Sequence, residues 1–490
     1  MSSGPVLLDG DSLTCARVAA AARGQAPVAI DPAGRERARA AAQTAAEVTA
    51  QRPVYGRTTG VGANRDQPVA MADEQAGLRL LRSHAGGGGP LVPPELSRAM
   101  LVIRANQIAA GGAGVDPGVL DVLADGLNRG LSVPVPVYGA IGTGDLTALA
   151  EAALCLIGER DWRPPGPGQP RFPLGSADAL AFMSSSAATL GEACLACDDL
   201  AGLLSVSTLI AAFSLLAVGG SMEPYAEAVH GGRHGGRFRA GQHRPGQQAV
   251  AARIRALLDG QPGPSARIQD PYGYRALPQV HGAAVDALAH AERTVTTDIN
   301  AADENPLVDV AGQAVWHNGN FHTAYLGLAL DAVRAALFQT AALAAARLGT
   351  LVEPRFTGLT PFLAGDQQPS SGIMILEYVA HAAVADIRRL AAPAALGAAV
   401  LSRGVEDHAG FSTQAARATT DVLTPYRMVL AAELVAAVRA LRMAQVRPAG
   451  ADLADALALA AGALPPDTED RPLDDDLAAA LDLLPRLAGA

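Results

Sequence analysis

The sequence predicts an all-α protein built as a bundle of long helices. Helix-period apolar patterns dominate the chain, and no run of short alternating strands stands out. Alanine is abundant while aromatics make up only 4% of the residues, a composition that lets long helices approach closely through small side chains. Clusters of glycine and proline supply the punctuation between periods.

Taken in order, the periods place helices near 33–51, 68–83, 94–111, 116–130 and 144–158, in an N-terminal part spanning 1–200. A long run at 176–217 leads into a central bundle, 201–445, with helices near 246–260, 278–299, 321–348, 370–392 and 411–444. Helices near 450–463 and 474–489 make a C-terminal tail, 446–490, joined through the Pro/Asp-rich stretch Leu464 to Asp476. Breaks fall at Gly86 to Pro90, Pro134 to Gly144, Pro164 to Pro170 and Gly231 to Gly246. These loops hold most of the polar motifs, as expected of a rigid helical scaffold that presents reactive loops.

Composition excludes several chemistries. The 38 basic and 48 acidic residues give a formal charge of −10 without a basic stripe, which argues against a nucleic-acid partner. Every basic residue is arginine. A lysine-free chain has no primary side-chain amine for a pyridoxal phosphate Schiff base or a P-loop. Of the four cysteines, Cys15, Cys155, Cys194 and Cys197, the last two have CxxC spacing. No second pair completes a zinc set, so they read as small buried helix residues. His230, His234 and His243 fit no standard metal spacing, and their loop reads as a lid or surface segment. No metal is expected. The N-terminus shows no signal-peptide pattern, and the most apolar stretch, Leu203 to Val218, is short and carries serines and a threonine. A core helix, no membrane and a cytoplasmic setting follow.

The chemistry lies in a series of strings. Tyr55-Gly56-Arg57-Thr58-Thr59-Gly60-Val61-Gly62 is a glycine-rich loop around a tyrosine. Ser83-His84-Ala85-Gly86 closes one helix, and Arg104-Ala105-Asn106 lies on the next. Gly142-Thr143-Gly144 precedes Asp145-Leu146. Further on stand Arg267-Ile268-Gln269-Asp270-Pro271-Tyr272-Gly273-Tyr274-Arg275, Asn300 to Leu307, His317 to His322, Ser370 to Met374 and Glu406-Asp407-His408. Singly, several have plainer readings: a packed tyrosine in a turn, a histidine capping its helix, asparagines capping the next one.

In this order, across roughly residues 5–445, the strings resemble those of the aromatic amino acid ammonia-lyases, the histidine, phenylalanine and tyrosine lyases. The resemblance implies a fumarase/aspartase-like long-helix fold and a homotetramer whose active sites are shared between subunits. It implies a small amino acid or carboxylate substrate. Tyr55 becomes the base that removes the β-proton, which requires nearby positive charge or hydrogen bonds to pull the phenol down from its ordinary value. Tyr272 becomes a second active-site tyrosine, Gln269 an amide near the electrophile, and Phe321 a ring packed beside it. Arg275 becomes the carboxylate clamp, suited by its two-pronged guanidinium. Asn305 belongs to the same pocket. His84 lines the side-chain pocket in histidine lyases, and an acid at Glu406 also matches them, so an imidazole-sized polar substrate is favoured over a phenyl ring.

The family's electrophile, 4-methylideneimidazol-5-one (MIO), forms by cyclisation and dehydration of Ala-Ser-Gly. Here Gly142, Thr143 and Gly144 occupy those positions, and the family's Asn-Gly-Thr facing them is Ser184-Ser185-Ser186. Thr143 keeps a β-hydroxyl able to leave, but its product is an ethylidene whose methyl hinders the carbon the amine attacks. Glycine at 142 makes room for that methyl and loosens the backbone that must close. Three readings follow. One is an ammonia-lyase with an ethylidene variant. Another is an MIO-independent lyase, dehydratase or isomerase that keeps Tyr55 and Arg275. The third is a non-catalytic homologue, against which the retained pocket argues. A fumarase-type activity is disfavoured, because its lysine-containing signature cannot exist here.

Overall fold

The computed structural model describes residues 4–489 except 71–72, 231–232, 235–236, 239–243, 262–264, 266 and 368. The chain is mostly helical. Strand pairing among the described residues is confined to four two-stranded sheets. Of the expected Gly231 to Gly246 lid loop, His243 and the side chain of His234 lie outside the described residues.

Most expected helices form within a few residues of their predicted ends: Pro32–Thr49, Pro94–Ala110, Val119–Asn128, Leu146–Ile157, Pro245–Leu257, Ala324–Leu351, Ile375–Leu390, Ala451–Ala463 and Asp474–Leu487. Asp31 shows why one begins where it does. Its carboxylate accepts the Gly34 N–H at 2.9 Å while Pro32 opens the helix. Three expectations need correction. The helix expected at 68–83 is Ala76–His84. The run at 411–444 divides into Ser412–Asp421 and Leu423–Met443, because Pro425 cannot donate to the Asp421 carbonyl and its ring crowds it. The run at 176–217 divides into Asp178–Met183 and Ala187–Ala217. There the serine hydroxyls compete with the backbone: Ser185 Oγ accepts the Ala187 N–H at 3.0 Å.

The chain divides into two compact units assembled from separate stretches. The first comprises 1–198, 291–330 and 393–420; the second comprises 199–290, 331–392 and 421–490. In the first, Pro94–Ala110 is the central helix, packed by Cys15–Ala22, Pro32–Thr49 and Val119–Asn128. It is buried nearly all round, Arg104, Asn106 and Gln107 included. In the second, Leu423–Met443 holds that place between Ile375–Leu390 and Asp474–Leu487. The interrupted stretch Asp178–Ala217 and the helix Ala324–Leu351 are long and apolar enough to cross a membrane, but 78% and 50% of their most apolar windows are buried inside the protein. The first stretch is mostly interior by that measure, and the second is half-buried.

Candidate active site

The tyrosine loop is held from beneath by a small apolar cluster. Val54 packs with Ala41, Ala45 and Val48 of the Pro32–Thr49 helix and with Val308 and Val315. The last two lie on the paired strands Leu307–Asp309 and Ala314–Trp316. Tyr55 follows directly. Its N–H donates to His317 Nε2 at 3.2 Å, and its phenol oxygen accepts the Gly62 N–H at 2.7 Å. Burial pushes the phenol above its ordinary value. The Gly62 N–H and the Arg65 charge pull it down, while the Glu406 charge pushes it up. The net direction opposes what a phenolate base needs, so the lowering expected from sequence is absent within this chain.

The segment Gly142-Thr143-Gly144 runs between the strand Pro136–Tyr138 and the helix Leu146–Ile157. Both glycines are left-handed, with φ of 86° and 95°, a region that glycine enters without steric cost. A Cβ on Gly142 would meet Ser412 Oγ at 2.5 Å, so alanine would not fit here without a shift. The Gly142 carbonyl accepts the Thr323 N–H at 3.3 Å, and the Asp145 N–H donates to the Ser185 carbonyl at 2.7 Å. The Asp145 carboxylate accepts from the Thr189 N–H at 2.7 Å and the Thr189 hydroxyl at 2.8 Å, at the start of the Ala187–Ala217 helix. Full burial pushes it up to about 6 against those bonds.

Across from the tripeptide, Arg104 donates to the carbonyls of Phe182 and Ala181 at 2.9 and 2.6 Å and pairs with Glu304 at 2.7 Å. That guanidinium satisfies the end of the Asp178–Met183 helix and holds the serine turn. Ser184 Oγ donates to the Asn305 carbonyl at 3.2 Å and accepts the Asn305 N–H at 2.9 Å. Ser186 Oγ donates to the Phe321 carbonyl at 2.8 Å. One cavity of about 410 Å³ gathers these groups, all from the first unit: Tyr55, Arg65, Thr143, Gly144, Ser184, Asn305, Phe321, His322, Glu406, Asp407 and His408 among them.

Residues 13–461 match the model of the aromatic amino acid lyase family. The chain belongs to that family. It is 36% identical to histidine ammonia-lyase of Anaeromyxobacter sp. (strain K) over 98% of both chains. Its fold matches the ergothioneine-degrading ergothionase of Treponema denticola, with a TM-score of 0.90 and 26% identity over 99% of each chain. It also matches the tyrosine aminomutase of Streptomyces globisporus, with a TM-score of 0.90 and 28% identity over 98% and 97% of the two chains. The protein is an all-α carbon–nitrogen lyase with the aromatic ammonia-lyase fold.

In this family member the sequence-predicted site residues fall into three groups. Tyr55, Thr143, Gly144, Ser184, Asn305, Phe321 and Glu406 line the one cavity, with Gly142 beside Thr143. Gln269, Tyr272 and Arg275 belong to the second unit and do not line it. Tyr272 is 69% exposed, and the Arg275 guanidinium stacks on its ring at 4.4 Å. His84 does not line the cavity either. Its Nδ1 sits 2.9 Å from the Leu80 carbonyl of its own helix, as a capping histidine would. Arg65, His322, Asp407 and His408 were not singled out from sequence, although three of them belong to the Phe-His and Glu-Asp-His strings.

The residues do not fit the methylidene group. Position 143 brings an extra methyl, and the Ser184 hydroxyl is committed to the Asn305 backbone. Among the described residues no cluster of three or more His, Cys, Asp or Glu could hold a metal ion.

Proposed function

We propose that this protein eliminates ammonia from an α-amino acid bearing an imidazole or aromatic side chain, with Tyr55 as the base. The observation that carries the reading is the single cavity in which Tyr55, Asn305, Phe321 and Glu406 meet beside Thr143. Tyr55 takes the β-proton, the C–H electrons become the Cα–Cβ double bond, and the α-ammonium group leaves as neutral ammonia with the Cα–N pair. The Gly62 N–H, already on the phenol oxygen, steadies the phenolate. Glu406 offers its carboxylate to an imidazole N–H, and Phe321 packs on the substrate. Arg275, with Gln269 and Tyr272, would serve the site from another subunit of a homotetramer, clamping the carboxylate. A second positive charge there would also help bring Tyr55 into its working range.

A reaction on the same scaffold that needs no amine activation is the second reading: elimination of an already competent leaving group, dehydration or isomerisation. The hydroxyl of Ser184 closed on Asn305 favours it, and so does the likeness to an ergothioneine-degrading enzyme and an aminomutase. Intact mass separates the two. A mass short by two waters, restored in Thr143→Ala together with loss of turnover, would establish an ethylidene electrophile. Full mass, with turnover lost in Tyr55→Phe and kept in Thr143→Ala, would establish the second reading. Equal turnover of L-histidine, L-tyrosine or L-phenylalanine by the parent and Tyr55→Phe would remove Tyr55 as the base.

A further inference from the structure

We propose that His322 and His408 form a proton-relay dyad that clears protons from this cavity, a role that rests on the elimination proposed above. His322 Nε2 and His408 Nδ1 lie 2.9 Å apart, with ring centroids 5.0 Å apart and planes inclined by 34°. Both rings line the cavity. His322 is fixed on both sides. The Phe321 carbonyl before it accepts from Ser186 Oγ at 2.8 Å, and the Thr323 N–H after it donates to the Gly142 carbonyl at 3.3 Å. His408 arrives on the segment that carries Glu406, whose backbone pairs with Leu401. Two loops far apart in sequence thus present their imidazoles to each other and to the substrate space.

The pair's chemistry follows from the 2.9 Å contact. One ring nitrogen donates there and the other accepts, so the neutral pair shows one outward N–H and one outward lone pair, on different rings. A proton binding the outward lone pair drives the central hydrogen across the contact and releases the outward proton of the other ring. The pair ends neutral with its tautomers exchanged, and no oxidant or reductant is involved. Burial, and any positive charge on the neighbouring His408, hold His322 below the usual histidine range, which favours its neutral form. The titratable groups around the cavity are Tyr55 and Arg65 from the tyrosine loop and Glu406 and Asp407 from the His408 segment. Each elimination leaves a proton on the base, and the base must lose it before the next turnover. The dyad supplies imidazoles for that transfer where the rest of the cavity offers a high-pKa phenol, carboxylates and a guanidinium.

Two measurements on the full-length protein test the dyad. Hydrogen–deuterium exchange at the imidazole C2 position, read by mass spectrometry across pH, needs no substrate. His322 should titrate below the usual histidine range in the parent and return toward it in His408→Gln; an unchanged His322 profile overturns the dyad. With L-histidine as probe, His322→Gln and His408→Gln should each lower kcat about tenfold or more at near-constant KM. The double variant should be no worse than either single one, and added imidazole should restore part of the rate. Additive losses without rescue, or unchanged kcat, overturn the relay. If the parent turns over neither L-histidine, L-tyrosine nor L-phenylalanine, the elimination reading falls and the relay with it, while the exchange profile still decides whether the imidazoles share a proton.

Discussion

Among the described residues, each compact unit hides one fully buried arginine–glutamate pair, and the two are finished differently. In the second unit, Arg347 meets Glu433 with two parallel bonds, Nε to Oε1 at 2.6 Å and Nη2 to Oε2 at 2.8 Å. Ser214 adds a third bond to Oε1 at 2.7 Å, and the remaining guanidinium nitrogen reaches the Gly273 carbonyl at 3.3 Å. In the first unit, Arg104 holds Glu304 at one point only. Glu304 Oε2 and the adjacent Asp303 Oδ1 are buried without partners. Burial pushes both acids above the ordinary carboxylate range. The Glu304 charge adds to the rise of Asp303, and Arg104 opposes it in both. A buried charge is tolerable when its hydrogen bonds are complete and costly when they are not. The unit with the incomplete pair is the one that carries the cavity.

Substitution of either glutamate probes the contrast most sharply. Glu433→Ala strands Arg347 in a closed interior and is expected to cost about 3–5 kcal/mol of unfolding free energy. Glu304→Ala leaves Arg104 its two carbonyl acceptors and should sit at the low end, about 3 kcal/mol. Urea titration of both variants reads the difference, and equal costs would erase the distinction between the pairs.

The incomplete pair should also carry a pH signature. Asp303 and Glu304 bind their protons more tightly in the folded chain than in the unfolded one, as does Asp298, pushed up to about 6 by burial. The unfolded state therefore binds fewer protons between an ordinary carboxylate value near 4 and these raised values, and stability falls as pH rises through that window. Asp303→Asn is expected to stabilise the fold at pH 8 and much less at pH 4, as read by urea titration at both values. A gain independent of pH would show that the carboxyl charge is not what burial opposes.

Smaller effects lie nearer the surface of each feature. Ser184→Ala removes both bonds to the Asn305 backbone and should cost about 1 kcal/mol, with turnover falling if that tether positions Asn305 in the cavity. Glu36→Ala breaks an exposed pair with Arg39 three residues along one helix and should change stability by about 0.5 kcal/mol or less. Thermal melts of the two variants rank them, and a larger loss for Glu36→Ala would overturn the ordering by burial.

The sequence alone determined most of the helices, because apolar spacing and caps such as Asp31 act within a few residues of where they stand. It also determined the family, because long strings such as Arg267 to Arg275 survive as strings. Tertiary structure decided which strings meet. His84 meets the Leu80 carbonyl of its own helix and does not line the cavity within this chain. The serine turn interrupted a run whose composition reads as one helix, and its hydroxyl found Asn305, 121 residues away. His322 and His408 stand 86 positions apart and touch. The direction of the Tyr55 shift likewise came from burial and from Glu406, far along the chain. Local propensity is written in spacing. Burial, hydrogen-bond partners and the field on a phenol belong to groups brought together only when the chain has folded.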